Sequence, residues 1–413
     1  MSAIVAPPVR CFVNSTRKGH RVNLDFLYGF LNLSFWGYVA VTFVMIQITF
    51  MGVTLYLHRD ATHRSLDLHP ALRHFFRFWL WLSSGIVTRE WVAVHRKHHA
   101  RCETEEDPHS PVIFGLKKVL LEGAELYQAE ARNPETVEKF GRGTPDDWME
   151  RNVYLRYRNF GIVAMVIIDL LLFGVPGIIV LAAQMLANPL MAAGVINGIG
   201  HYYGYRNFEC SDAARNVMPW GFLVAGEELH NNHHAFPSSA KFSVQRWEFD
   251  IGWLYICVFR FFGLARVIRV VPEPARVAPR KHIDLDTVRA VIVNRMHVLR
   301  EYTRSVTVPV FREQLMAAGG QLSRRVKKLL VREPVLLDQA AQSKLKEVLA
   351  NNQALQTVHE FRERLRVLWN GSAMSNESLL QHLKDWIAQA EASHIQVLQD
   401  FAARLRGYAL QRA

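Results

Sequence analysis

The sequence predicts an all-α fold: a polytopic membrane helical bundle with a histidine-rich cytosolic cap and a C-terminal soluble helical extension. Three observations carry this. Long apolar runs are confined to the first 270 residues, the tail repeats apolar residues at three- and four-residue spacing, and half of the histidines fall in tight clusters beside predicted membrane boundaries. The 413-residue chain carries a formal net charge of +12. From Val271 onward 22 Lys and Arg stand against 14 Asp and Glu, so the tail holds +8 of it. A basic tail beside membrane spans places a cytoplasmic region near anionic lipid. No recognition-module signature accompanies the charge, so no nucleic-acid partner is expected. The chain divides into an N-terminal segment, residues 1–32, a membrane domain, 33–270, and a basic helical region, 271–413.

In chain order, the N-terminus lacks an apolar core followed by a small-residue cleavage site, so no cleaved signal is expected. Leu33–Leu57 contains no charged side chain and suffices to cross a hydrocarbon layer about 30 Å thick. Only 33 residues, Asp25–Leu57, precede the first histidine cluster, which is short for two crossings. Either the N-terminus is outside, or Phe26–Leu31 enters and returns; Arg10, Arg17, Lys18 and Arg21 argue against export. Leu72–Trp91 is interrupted by Arg73, His74, Arg77, Arg89 and Glu90 and predicts an interfacial helix. Val153–Asn197 predicts a hairpin, Phe160–Phe173 and Ile178–Asn197, turned by the GVPG at 174–177. Asp169 within it must face protein or the lipid boundary. Residues 98–150 and 206–250 are polar and lie outside the bilayer, and Leu254–Leu264 is too short to span. Beyond VVPEPARVAPRK, helices are expected at 322–331, 335–351, 355–369 and 378–405, separated by Gly319-Gly320, Pro334 and Asn370-Gly371.

The four cysteines, Cys11, Cys102, Cys210 and Cys257, form no C-x-x-C pair and imply neither a disulfide framework nor a cysteine zinc site. Histidine is more informative. His58-x4-His63, His95-x2-His98-His99, Asn197-x3-His201 and His230-x2-His233-His234 stand out from the 18. Residues at i, i+3 and i+4 share a helix face, so each H-x-x-H-H directs two or three imidazoles toward one point. His58 and His63, five apart, converge if the helix frays or tightens. Several of these histidines sit among Arg and Lys, where protonated rings would repel, and coordination resolves that. Nine imidazoles exceed the four of a structural zinc and point to two metal ions. Redox-active iron would activate O₂ against a C–H bond of an acyl chain at the water–lipid boundary, whereas zinc would favour hydrolysis. Isolated histidines such as His69, His74 and His109 are read as packed or solvated.

HRDATH, HRKHH and HNNHH resemble the three histidine boxes of the membrane fatty acid desaturases, in the stearoyl-CoA type Δ9 branch. EWVAVHRKHHARCETEEDPHSP, NGIGHYYGYRNF and GEELHNNHHAFPSSAKFS extend the likeness over residues 33–270. The resemblance implies a di-iron centre that uses O₂ and two electrons to place a cis double bond, at Δ9, in a saturated long-chain acyl group carried by CoA or phospholipid. It implies His58, His63, His95, His98, His99, His201, His230, His233 and His234 as iron ligands, with Asn197 completing the set through a water. No catalytic residue beyond these ligands is expected. Asp107, Glu227 and Glu228 are candidates to hold the free ring N–H groups. Arg59, Arg96 and Lys97 are placed either to hold lipid headgroups or carrier phosphates or simply to follow the positive-inside pattern. No HPGG-type haem segment or iron–sulfur cysteine set is present, so electrons are expected from a separate ferredoxin or flavoprotein reductase. The expected location is the bacterial inner membrane, with the site facing the cytoplasm. The rival readings are a membrane di-iron hydroxylase or oxygenase acting on a lipid or alkyl chain, a zinc-dependent hydrolase, and a silent metal-binding or interaction protein.

Overall fold

A computed structural model of the protein describes residues 25–317, 324–370 and 374–410. The N-terminal cations, Cys11, the breakers Gly319-Gly320 and Gly371, and the start of the helix expected from Leu322 lie outside these. The described chain is mostly helical. It forms two compact units that interleave along the sequence. The first runs to Ile199 and adds Trp220–Glu228 and Trp247–Arg269; the second comprises Gly200–Pro219, Leu229–Arg246 and the chain from Val270.

In the first unit, Ser34 caps a helix over Phe35–Met51, its side chain accepting from the Gly37 N–H. The helix continues without a break as a π-helix over Gly52–Thr62, giving 28 residues long and apolar enough to cross a membrane. Pro176–His201, 26 residues, also qualifies. Pro189 cannot donate to the carbonyl four residues back, and there Pro176–Asn188 gives way to a π-helical stretch over Pro189–Ile196. The expected hairpin forms, Arg158–Phe173 preceding Pro176–Asn188. Gly174 in its turn has φ +64°, and a Cβ there would meet the Leu27 carbonyl oxygen at 2.0 Å, so only glycine fits. Leu27–Leu31 lies along this turn: Val175 donates to Leu27, and Phe30 and Leu31 donate to Leu171 and Leu172. That segment therefore sits at the end of the unit from which both long helices start, opposite His58 and Asn197.

The interfacial helix expected over Leu72–Trp91 is two helices, Pro70–Ser84 and Thr88–Arg101, because Gly85 adopts the left-handed conformation that ends the first. Gly161 lets the hairpin cross this first helix closely; a Cβ there would lie 2.3 Å from the Trp81 carbonyl oxygen. Met45, Trp81, Met165, Phe173 and Val180 form the core at this crossing. Asp169 is buried and accepts a 3.2 Å hydrogen bond from the Gln184 amide. Outward-facing Phe35, Trp36, Phe43, Phe160, Ile179 and Leu186 are exposed and form an apolar surface on these helices. Leu66–Leu68 pairs antiparallel with Ala265–Val267, and Trp220–Gly221 pairs parallel with Phe249–Asp250. The latter pair delivers the Glu227 loop to the histidines of the first unit.

In the second unit the tail's ends meet in a ribbon, Ala275–Arg276 against Tyr408–Ala409. Its helices bury Tyr302, Trp386 and Phe401 at the centre, where the Trp386 indole donates to the Phe361 carbonyl at 2.8 Å and the Tyr302 hydroxyl to the Val358 carbonyl at 2.7 Å. Helices run over Arg324–Val331, Gln339–Ala350 and Gln353–Asn370. The long helix expected over 378–405 is two, Asn376–Glu391 and Gln396–Leu405, broken where His394 has φ +57°. Four further helical segments, spanning Leu285–Ala317, precede these and carry too few breakers to be separated by pattern alone.

Candidate metal centre

The two histidines of the first cluster meet because the helix widens rather than tightens. The His63 N–H bonds to the His58 carbonyl five residues back at 3.1 Å, the π-helical connection that brings i and i+5 onto one face, and the ring centroids stand 5.0 Å apart. In Thr88–Arg101, His95 and His99 share the face turned toward them. His95 Nε2 lies 3.2 Å from His63 Nε2 and 3.1 Å from His99 Nε2. Ligand atoms of His58, His63, His95 and His99 all fall within 4.8 Å of one another. Burial, followed by the neighbouring His58 and His99, pushes His95 well below the usual histidine range, leaving it a neutral ring with a lone pair to share.

His98 takes the other face. Its Nδ1 is 3.0 Å from Asp107 Oδ1, its ring stacks on buried His109 at 4.5 Å, and its Nε2 is 3.8 Å from the Cys102 thiol. H-x-x-H-H thus divides two and one rather than converging on one point.

Carboxylates set the ring orientations. Glu227 Oε1 accepts from His58 Nδ1 at 2.8 Å and from the Thr54 hydroxyl at 2.5 Å. Burial raises the Glu227 carboxyl, but the His58 ring and the Arg59 guanidinium outweigh it and hold the group below its ordinary value. Asp107 behaves likewise: burial opposes ionisation, and His98 prevails. An ionised carboxylate only accepts, so each of these rings carries its proton on Nδ1 and presents Nε2 inward. Glu228 has a different role from the expected one, accepting the backbone N–H groups of Leu223, Val224 and Gly226 and so shaping the loop that aims Glu227. The cations are also occupied. Arg59 is fully buried against Asp250 at 3.1 Å, Arg96 donates to the carbonyls of Ala61, Thr62, Phe140 and Arg142, and Lys97 pairs with Glu130 at 2.9 Å. They brace the fold and are not available for headgroups.

The second unit repeats the arrangement. His230 and His234 share one face of the short helix His230–Ala235, ring centroids 4.4 Å apart, and His201 joins them at 4.8 and 4.9 Å with its Nε2 2.8 Å from His230 Nε2. His233 turns the other way, 4.8 Å from the Phe242 ring. Asp212, which sequence reasoning missed, holds His234 Nδ1 at 3.2 Å. Asn231 and Asn232, inside HNNHH, were also missed. Asn231 accepts from the N–H groups of Asn207 and Phe208 and donates to the carbonyls of Phe208 and Ala214, while Asn232 accepts from the side chains of Asn207 and Asn216. A doubled asparagine between histidines was the available signal. Asn197 stands half-buried at the end of the π-helical stretch in the first unit.

In both units Nε2 atoms crowd together at 2.8–3.2 Å, and in each a carboxylate grips a ring from behind through Nδ1. Inward lone pairs with outward-held N–H groups are what imidazole ligands of a metal require. The nearly all-nitrogen donor set fits iron, zinc, copper or nickel and suits neither calcium nor a thiolate cluster.

A fatty acid desaturase family model matches residues 33–256. Residues 282–411 match a transposase family model. The chain is similar to Delta-9 acyl-lipid desaturase 2 of Arabidopsis thaliana, 29% identical over 246 residues that cover 58% of this chain and 78% of that protein. It is 31% identical to the sn-1 stearoyl-lipid 9-desaturase of a Synechocystis species over 260 residues, covering 62% and 79%. It is also 31% identical to the Acyl-CoA C20 Delta5-desaturase of Anemone leveillei over 259 residues, covering 60% and 77%.

Proposed function

This chain belongs to the fatty acid desaturase family and is an oxidoreductase, and on that premise we propose that it is a membrane di-iron enzyme placing a cis double bond at Δ9 of a saturated acyl chain. The carrying observation is the pair of imidazole clusters with Nε2 inward and Nδ1 held by a carboxylate. The proposed ligands are His58, His63, His95, His98, His99, His201, His230, His233 and His234, with Asn197 acting through a water. The two-and-one division in both H-x-x-H-H segments supports two ions, since a single ion uses one face of a helix.

Iron held by these side chains would supply O₂ activation: an unactivated methylene pair loses two hydrogens and, with two electrons and two protons from outside, O₂ ends as two waters. The protein's own residues supply the frame. Glu227, Asp107 and Asp212 keep the protons of His58, His98 and His234 on Nδ1 and fix those rings. Buried Arg59–Asp250 and the Arg96 bonds to Ala61 and Thr62 lock the segment carrying His58 and His63 against neighbouring loops. The two long apolar helices support membrane insertion, and we place the histidines on the cytoplasmic side of a bacterial inner membrane in a polytopic bundle. The named relatives include acyl-lipid and acyl-CoA desaturases, so both carriers are proposed substrates. Electrons come from a separate ferredoxin or flavoprotein reductase. The transposase likeness covers under a third of the chain and adds no activity to this reading.

The test is gas chromatography–mass spectrometry of membrane fatty acids, with double bonds located by derivatisation, from cells expressing the chain or its His98→Ala or His233→Ala variant. A cis-monoene that requires the intact histidines is expected. Hydroxy-acids in its place would establish the hydroxylase reading instead. An unchanged profile, with iron-loaded protein and a competent electron donor present, would overturn the proposal.

A further inference from the structure

The C-terminal region shares a compact unit with His201, His230, His233 and His234. The helix bearing the last three is six residues long, too short to hold itself, so the aim of its rings depends on what grips it. The grip is the segment Asn207–Asn216, bonded to Asn231, Asn232 and His234 as described above. This segment is in turn held by the tail. Phe208, almost fully buried, stands edge-on to Phe236 at 5.0 Å and to His297 at 5.5 Å, and the His297 ring lies over Phe236 at 5.1 Å. The Arg300 guanidinium sits 5.6 Å over the Phe208 ring, and Met296 packs on the Phe208–Cys210–Ala235 cluster. A second attachment runs from Glu209, which takes both Arg206 and Arg332.

We propose that His297 is a positioning residue: its ring closes a three-ring clamp with Phe208 and Phe236 through which the tail sets the geometry of the HNNHH histidines. The clamp works through ring faces. Burial, then the Arg300 charge, pushes His297 down to about 4, so the ring is neutral at physiological pH, and its Nε2 has no hydrogen-bond partner. A phenyl ring keeps those faces and gives up only the ring's hydrogen bond to the Pro272 backbone, whereas a methyl group keeps neither. The tail is thereby part of the site's scaffold, not an appendage beside it. The consequence for metal rests on the iron reading; the geometric claim stands apart from it.

The experiment uses the full chain in detergent with His297→Ala, His297→Phe and, as a control for general destabilisation, Leu383→Ala in the tail core. Amide hydrogen exchange is followed in chelated protein across residues 206–216 and 229–236, and iron(II) affinity is measured in parallel. His297→Ala is expected to speed exchange in both segments about tenfold and to weaken iron binding about tenfold, with His297→Phe close to the parent and Leu383→Ala leaving both unchanged. Unchanged exchange in His297→Ala overturns the clamp, as does an equal effect from Leu383→Ala or a failure of His297→Phe to rescue. Parent protein that binds no iron while exchange responds as expected supports the clamp and overturns the metal reading alone.

Discussion

Replacing Glu227 by Gln removes one negative charge while preserving size and an acceptor oxygen. In the parent one carboxylate oxygen serves both Thr54 and His58, at 2.5 and 2.8 Å, in a buried setting. Hydrogen bonds to charged groups contribute about 1.5–3 kcal/mol and neutral ones about 0.5–1.5, so each bond weakens by about 1 kcal/mol. The Thr54 share is lost whether or not metal is bound and lowers stability alone. The His58 share, with the lost basicity of the ring, enters metal affinity and corresponds to about a tenfold weakening. Glu227→Ala goes further, leaving the ring free to turn, and is expected to approach about a hundredfold. Glu228→Gln is the comparison: its carboxylate touches loop N–H groups and no ring, and the amide keeps an acceptor oxygen for them, so thermal stability should fall while iron affinity changes less than in Glu227→Gln. The assay is anaerobic competition for iron(II) against a chromophoric chelator, with thermal unfolding of the metal-free variants alongside. Equal iron affinity in parent, Glu227→Gln and Glu227→Ala would refute the reasoning, as would a Glu228→Gln effect of the same size.

Arg77→Met leaves Glu150, 2% exposed, without its cation and should destabilise the first unit by about 3–5 kcal/mol in thermal unfolding, with Arg77→Met/Glu150→Gln recovering part. The same variant should flatten an acid dependence. Asp147 is held at about 2 chiefly by its hydrogen bond to Arg77, so its contribution is complete above about pH 4 and lost as pH falls toward 2, where the unfolded chain binds the extra proton. Asn231→Asp keeps both accepted N–H bonds but turns an oxygen toward the carbonyls of Phe208 and Ala214, costing roughly 1–3 kcal/mol at each; faster amide exchange across 207–216 would register it. Gly161→Val drives a side chain into the Trp81 carbonyl and should lower the unfolding temperature by several degrees, about 1–3 kcal/mol, read by thermal unfolding in detergent.

Histidine spacing and long uncharged runs are local properties, and they carry the helical class, the two long apolar helices and the clusters directly. Composition alone distinguishes the apolar first part of the chain from the basic tail. Helix periodicity also predicts that His95 and His99 share a face. It does not show that His98 and His233 part from their neighbours, because three-residue and four-residue steps fall about 100° apart and the choice depends on what packs around the helix.

Other features needed the tertiary structure because their partners are distant in sequence. His58 and His63 converge through a π-helical stretch whose widening no propensity predicts. Glu227 reaches His58 across 169 residues and Glu228 does not, a difference decided by which way one loop turns. Arg59 appears in sequence as a cation at a membrane boundary, and only the fold reveals Asp250 buried against it, 191 residues away. Asp212 and His297 have no motif of their own, and Asn231 shows only as half of the doubled asparagine inside HNNHH. Their roles follow from the aromatic and amide contacts that join the tail and the 207–216 segment to the HNNHH histidines. Sequence alone determined which side chains can bind a metal, since that is a matter of residue type and spacing. The tertiary structure decided which nitrogen of His58, His98 and His234 faces inward, since that depends on the carboxylate packed behind each ring.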